Sequence, residues 1–445
     1  MTVFNILDLS LKLNGFPLEK AKAYFSSIIA IPEDKFEDFT NQKRREIVAY
    51  HLSNNLFYKN LAKNKSVDFS LENWNDLPVL TKTDFQQSLS ERLSSDFNTK
   101  NVYINRTSGS SGDPFIFAKD KFCHALVWSS IYYRFGWYGL DLNKAYQARF
   151  YGYPLEFLNK YKVKLKDFFS NRYRLPIFDL SDDALKKFVE IFKSKKFHYI
   201  NGYTSSIVMM AKYLEKENIV LKTICPTLKA CIVTSEMLFE EDKALLEKQL
   251  GVPIVNEYGA SELDIIAFQN KEDEWIVNVE NLYVEILDDQ NNPLPFGEEG
   301  NIVVTALYNK AHPFIRYKIG DMGILEKKSS KKIILKKLTG RTNDFAFLPS
   351  GKKAPGMTFY SITKTVMEED GNLKEFVITQ TEKNRFEIEY VSEKPISKER
   401  IFYFEKKLTD YLEEGLTFTF IRKEKLERSK SGKLKQFKSL VNQNL

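Results

Sequence analysis

His198-Tyr199-Ile200-Asn201-Gly202-Tyr203-Thr204 opens the stretch that decides the fold. Leu228-Lys229-Ala230-Cys231-Ile232-Val233 follows and ends on Thr234-Ser235-Glu236. Pro253-Ile254-Val255-Asn256-Glu257-Tyr258 comes third and ends on Gly259-Ala260-Ser261-Glu262. Each segment is a short apolar run that stops at a polar loop. Helical patterns over 205–217 and 239–249 follow the first two. Repetition of strand, loop and helix predicts α/β layers with parallel strands. Sheets of that kind bind ligands in the loops at their strand ends.

Working outward, residues 101–105 alternate as a strand and 115–118 form a second one. Between them lies Arg106-Thr107-Ser108-Gly109-Ser110-Ser111-Gly112-Asp113-Pro114, and an aromatic-rich helix is expected over 120–137. Residues 1–95 read as mainly helical: Phe36, Phe39, Ile47, Tyr50, Leu56 and Leu61 recur at mixed steps with charges between them. On the C-terminal side, Val277, Val279, Val284, Ile286, Ile302, Val303 and Val304 mark short strands of a small β subdomain. The last hundred or so residues mix strands over 375–380 and 385–391 with a helix over 397–412. The chain therefore reads as α/β. A large N-terminal domain, 1–341, has mostly parallel sheets flanked by helices plus the β subdomain, and an α+β domain occupies 342–445.

Composition narrows the classes. The 445 residues are 43% hydrophobic, and 66 basic against 59 acidic residues leave a net charge of +7. So mild an excess reads as solvated faces, and no nucleic-acid partner is expected. Cys123, Cys225 and Cys231 cannot all pair and form no CxxC, so neither a disulfide framework nor a zinc knuckle is indicated. The N-terminal stretch lacks a basic n-region and carries Asp8 among its apolar residues. No apolar run reaches the roughly 18 residues of a membrane span. The expectation is a cytoplasmic protein with no transmembrane segment.

Five segments carry candidate chemistry. In Thr107–Gly112 the small residues let backbone N–H groups and hydroxyls approach an anion, although the spacing is not that of a Walker loop. Glu262, at the end of Asn256–Glu262, is a candidate Mg²⁺ ligand, with Tyr258 placed to stack on a base. Asp321, in Arg316-Tyr317-Lys318-Ile319-Gly320-Asp321, can accept two hydrogen bonds from a diol. Arg341, in Thr339-Gly340-Arg341, offers a forked donor. Lys433, in Ser429-Lys430-Ser431-Gly432-Lys433, can offset negative charge developing at a reacting carboxylate and phosphate. Each segment alone also reads as an ordinary turn or a basic tail.

Their joint order is more specific. From about residue 75 to its end the chain resembles the adenylate-forming superfamily of acyl-CoA synthetases and adenylation domains. Within it the chain looks most like the phenylacetate–CoA ligase and CapK branch, the latter tied to polysaccharide gene clusters. The resemblance implies ATP and Mg²⁺ as cofactors, and activation of a small-molecule carboxylic acid to acyl-AMP with release of pyrophosphate. Transfer to coenzyme A, a carrier thiol or an amine would follow. The C-terminal domain is expected to be mobile about Asn343, and a homodimer is among the oligomeric states left open.

By position, the resemblance makes Thr107, Ser108, Gly109, Ser110, Ser111 and Gly112 the phosphate loop, and Thr234, Ser235 and Glu236 an adenine-side loop. Tyr258 and Gly259 fall at the adenine, Glu262 at the metal, Asp321 and Arg341 at the ribose and phosphate, and Lys433 at the adenylation lysine. Trp137, Tyr151, Tyr153 and Tyr203 fall where the acid is held, and equally read as core aromatics. Asp113 stands where a cation is common. The alternative reading is a nucleotide-binding scaffold that no longer turns over.

Overall fold

The computed structural model describes residues 6–65, 74–107, 115–152, 157–341, 345–355, 373–428 and 434–441. The chain divides into two compact units. The first holds Met1–Ile319 and Gly323–Lys337; the second holds Gly320–Met322 and Leu338–Leu445.

A hairpin of β1 (Tyr103–Arg106) and β2 (Ile116–Lys119) precedes the main sheet. The sheet's strands are β3 (Gln147–Phe150), β4 (Arg172–Leu175), β5 (Tyr199–Tyr203), β6 (Ala230–Thr234), β7 (Ile254–Ala260), β8 (Asp264–Gln269), β9 (Trp275–Val277), β10 (Leu282–Leu287), β11 (Glu299–Ala306), β12 (Tyr317–Lys327) and β13 (Ile333–Arg341). They form one sheet in the order β10-β11-β12-β13-β9-β8-β7-β6-β5-β3-β4. The half from β4 to β7 is parallel. At β7 the direction reverses, and β7–β8, β8–β9 and β9–β13 pair antiparallel. The sheet is thus mixed. The strands expected as a separate β subdomain are continuous with it.

The centre of the parallel half is buried on both faces: every residue of β5 and β6 is buried. Ala148, Phe150, Leu175, Ile200, Cys231 and Val233 point to one face and pack under the helices Asp182–Ser194, Thr204–Lys216 and Glu240–Leu250. In the first of these, Leu185, Phe188, Val189 and Phe192 recur at helical spacing, and the Ser181 hydroxyl accepts from the N–H of Ala184 at its start. On the other face, Tyr199, Ala230, Ile232, Val255 and Phe268 meet Phe135 and Tyr138 from the end of the helix Lys121–Gly136, with Leu7 and Leu11 from the N-terminal helix Ile6–Leu13. Gly202 is required by this packing: a Cβ there would stand 2.5 Å from the Phe150 Cβ on the paired strand.

In the second unit, β14 (Phe345–Phe347) and β15 (Lys353–Pro355) form a small hairpin. A four-stranded sheet follows from β16 (Leu373–Glu382), β17 (Arg385–Ser392), β18 (Thr417–Arg422) and β19 (Phe437–Ser439), in the order β18-β17-β16-β19. The helix Lys398–Tyr411 lays Phe404 on Phe418 and Phe420, with ring centroids 5.7 and 5.2 Å apart. Gln380, fully buried, donates to the Phe347 carbonyl at 2.8 Å and accepts from the Ser439 hydroxyl at 2.8 Å, tying β14 and β19 to β16. No helix among the described residues is long and apolar enough to cross a membrane.

Candidate active site

The ends of β5 and β6 are in register with Glu257 in the middle of β7: Tyr203 pairs with Thr234, and Thr234 with Glu257. β5 and β6 end together, so the polar segments that follow them converge at one edge of the sheet. Glu236 turns back at this edge. Its carboxylate accepts from the Ser205 N–H at 2.7 Å, and its carbonyl accepts from the Thr204 hydroxyl at 3.2 Å. It therefore satisfies an otherwise open donor at the start of the helix Thr204–Lys216. Ser235 holds φ at 70°. That conformation costs free energy in a residue other than Gly or Asn, and such residues gather at binding sites.

Sequence reasoning ends β7 at Tyr258 and expects Gly259 and Ala260 in the loop after it. The structure places these residues on β7 itself, with a register shift between Tyr258 and Gly259. Only Ser261, Glu262 and Leu263 turn the chain into β8. A Cβ at Gly259 would lie 2.3 Å from the Asp264 carbonyl oxygen, so this turn tolerates no side chain there. Tyr258 is buried, its ring 6.0 Å from that of Trp275. Glu262 is buried and accepts from the Tyr317 hydroxyl at 3.1 Å. Among the described residues nothing hydrogen-bonds its second oxygen. A small cavity beside it is lined by Lys119, Asp264, Asn281 and Asn309, among others. Lys119 pairs with Asp264 there, and neither polar atom of the Asn281 side chain has a partner among the described residues.

Tyr317 opens β12, and Asp321 lies four residues on along the same strand, buried. Gly320 before it has φ 86°. Arg316, just ahead of the strand, has φ 43° and is fully buried. Its guanidinium donates to the carbonyls of Asn75 and Leu77 at 2.9 and 2.8 Å and stands 3.5 Å from Glu285. The segment 74–80 is held this way, and Leu80 continues it as a parallel bridge to Tyr317. Arg316 is a scaffold residue that fixes the segment 74–80 against the start of β12.

At the hairpin, the Thr107 hydroxyl accepts from the Phe115 N–H at 3.0 Å, and the Thr107 N–H donates to the Phe115 carbonyl at 2.9 Å. Both bonds close the neck of the Gly/Ser loop. Ser108, Gly109, Ser110, Ser111, Gly112 and Asp113 lie outside the described residues, as do Tyr153, Asn343 and Lys433. Arg341 is the last residue of β13. Of the aromatics, Tyr151 and Tyr203 come together, with centroids 4.7 Å apart. Trp137 does not join them. It packs 6.0 Å from Phe268 and 5.5 Å from Tyr133, in the cluster below the sheet.

No family model matches the chain. Over 367 residues it is 27% identical to Protein CapK of Staphylococcus aureus, covering 77% of this chain and 76% of that one. Over 166 residues it is 27% identical to a phenylacetate-coenzyme A ligase of Aromatoleum evansii, covering 35% of this chain and 38% of that one. A crystal structure of 2-hydroxyisobutyryl-CoA ligase in the postadenylation state, in complex with R3-HIB-AMP, superposes with a TM-score of 0.71 over 93% of this chain and 91% of its own, at 13% identity. The fold is the one that 2-hydroxyisobutyryl-CoA ligase adopts. An ATP-bound MatB from Rhodopseudomonas palustris shares it more distantly, with a TM-score of 0.52 over 76% of this chain and 65% of that one, at 13% identity.

Several polar residues that the motifs did not announce lie on one face of these same strands. Asn201 accepts from Gln147 at 3.1 Å and from the Tyr151 hydroxyl at 3.4 Å, and donates to the Ile232 carbonyl at 3.2 Å. Arg149 lies over the Tyr151 ring at 3.9 Å. Burial pushes the Glu257 carboxyl up to about 7, against the hydrogen bond from Thr234 and the charge of Arg149. The one sequence signal for these residues was a polar residue at every second position of an otherwise apolar strand.

Proposed function

We propose that this protein activates a carboxylic acid with ATP, giving acyl-AMP and pyrophosphate, and then passes the acyl group to a thiol or amine acceptor. The observation that carries this reading is the convergence of Tyr203, Thr234 and Glu257 at one sheet edge within an adenylate-forming fold. The similarity to CapK over three-quarters of both chains, and the shorter one to a phenylacetate-coenzyme A ligase, favour that branch.

The chemistry asks for little beyond positioning and charge. A carboxylate is already ionised at neutral pH and needs no general base. Three buried histidines are also poor bases: burial lowers His51 and His124 to about 4 and His312 well below its ordinary value. The carboxylate oxygen attacks the α-phosphorus in line as the bond to pyrophosphate breaks. Thr107 and the loop that follows it hold the phosphates, Thr234 and Tyr258 flank the base, and Asp321 and Arg341 take the ribose. Lys433 neutralises charge where the carboxylate meets the α-phosphate. Glu262 fits a Mg²⁺ site, because Tyr317 anchors one oxygen and Mg²⁺ uses one or two protein carboxylates with substrate phosphates. When bound, the ion supplies positive charge to the phosphate oxygens.

The test is to incubate the chain with ATP, Mg²⁺ and a mixed pool of acids and to search by mass spectrometry for acyl-AMP. One acyl-AMP or a few related ones is the expected outcome. ATP retained without any acyl-AMP would identify a scaffold instead.

A further inference from the structure

The face of β3 and β4 that carries Gln147 and Arg149 is unusual for the edge of a sheet. Gln147 pairs with Arg172, and Arg149 with Arg174, so alternation puts all four side chains on one face. Tyr199 and Asn201 of β5 continue that face. Three arginines therefore stand together, with the Lys166 ammonium close enough for all three, together with burial, to hold it down.

Among the described residues their counter-charges do not balance. Asp167 is committed to Arg174, accepting from it at 2.7 and 3.1 Å. Among the described residues no carboxylate is bonded to Arg149 or Arg172. The Nε atoms of both, and the Oε1 of Gln147, are buried without a partner. Arg172 is pushed down to about 10 by burial and then by the charge of Arg149. Among the described residues Glu257 feels the charge of Arg149, and burial pushes its carboxyl toward its neutral form. Cations left this way are costly. A packed core would replace them with apolar residues, as the opposite face of the same strands does.

Their place suggests what they meet. Arg149 is stacked on Tyr151, Tyr151 is against Tyr203, and Tyr203 is in register with Thr234 at the edge where the acid and ATP are to react. We propose that Arg149 and Arg172 form a subsite for a second carboxylate, so that the acid this enzyme activates is a dicarboxylic acid. Two forked donors match the two oxygens of a carboxylate, and Gln147 and Asn201 border the same space. The reacting carboxylate then points along Tyr151 and Tyr203 toward the phosphates. This inference rests on the adenylation reading for the chemistry, but not for the binding.

The test pairs acids of equal chain length, succinate with butyrate and adipate with hexanoate. Acid-dependent pyrophosphate exchange gives kcat/KM for each. The wild type should favour the dicarboxylate, and Arg149→Gln should lower the ratio of dicarboxylate to monocarboxylate by about 10²-fold, mostly through KM. Arg149→Lys should restore part of the ratio. A wild type that prefers the monocarboxylates, or a ratio that Arg149→Gln leaves in place, overturns the subsite. Thermal shift without ATP keeps the two readings apart. Dicarboxylates should raise the melting temperature of the wild type and not of Arg149→Gln, even if no acid supports exchange. No shift with any dicarboxylate overturns the proposal. Should Arg149→Gln fail to fold, Arg172→Gln is read against the same ratios and shifts.

Discussion

Replacing Lys433 with alanine should slow acyl-AMP formation by about 10²–10³-fold, the range lost when a single preorganised donor is removed from a developing charge. Two anions must approach in this reaction, so a cation between them acts more strongly in the transition state than in either ground state. The effect should therefore fall on kcat, with ATP affinity changed much less. Lys433 stands in a basic segment between Gly432 and Leu434, far along the chain from the residues assigned to bind the nucleotide. Single-turnover formation of acyl-AMP, beside equilibrium binding of ATP, separates the two effects. Loss of both together would move Lys433 from the reacting centre to general nucleotide binding. The second half-reaction, started from synthetic acyl-AMP, should be slowed far less by the same substitution.

Arg316→Ala should be the most damaging single change to stability, at about 3–5 kcal/mol. Arg316 is fully buried, stands 3.5 Å from the buried Glu285, and donates to the carbonyls of Asn75 and Leu77. Alanine would leave a buried carboxylate and two carbonyls unsatisfied and open a cavity besides. Burial already raises the Glu285 carboxyl, with Arg316 the strongest influence holding it down, so the orphaned acid would take up a proton and recover part of the loss. Chemical unfolding followed by tryptophan fluorescence checks this. All four tryptophans, Trp74, Trp128, Trp137 and Trp275, lie in the first unit, and Trp74 flanks the contact itself. A midpoint within experimental scatter of the wild type would contradict the scaffold role. Because the same contact holds β12, activity should fall along with stability.

The parallel half of the sheet was legible in the sequence because strands buried on both faces are continuous apolar runs, and their helices carry strong periodicity. Helices expected over 120–137 and 239–249 occur as Lys121–Gly136 and Glu240–Leu250. The strands after residue 275 were legible as strands but not as part of the same sheet. Alternation identifies a strand and says nothing of its partner, and the reversal at β7 depends on a three-residue turn. Glu262 was readable as a residue type at a strand end, whereas its anchoring by Tyr317, 55 residues later, was not. Arg149 and Glu257 show the other limit. Each is one of two polar residues in a short strand, and only the register of β3, β5, β6 and β7 brings them onto one face.

The reversible step is the most direct test of the central claim. Labelled pyrophosphate should enter ATP when chain, Mg²⁺ and the right acid are present together, and should not enter without the acid. The Lys433→Ala chain should lose that exchange. If a folded wild-type chain that binds ATP shows no acid-dependent exchange across mono-, di- and aromatic carboxylic acids, adenylate formation is not what this site does.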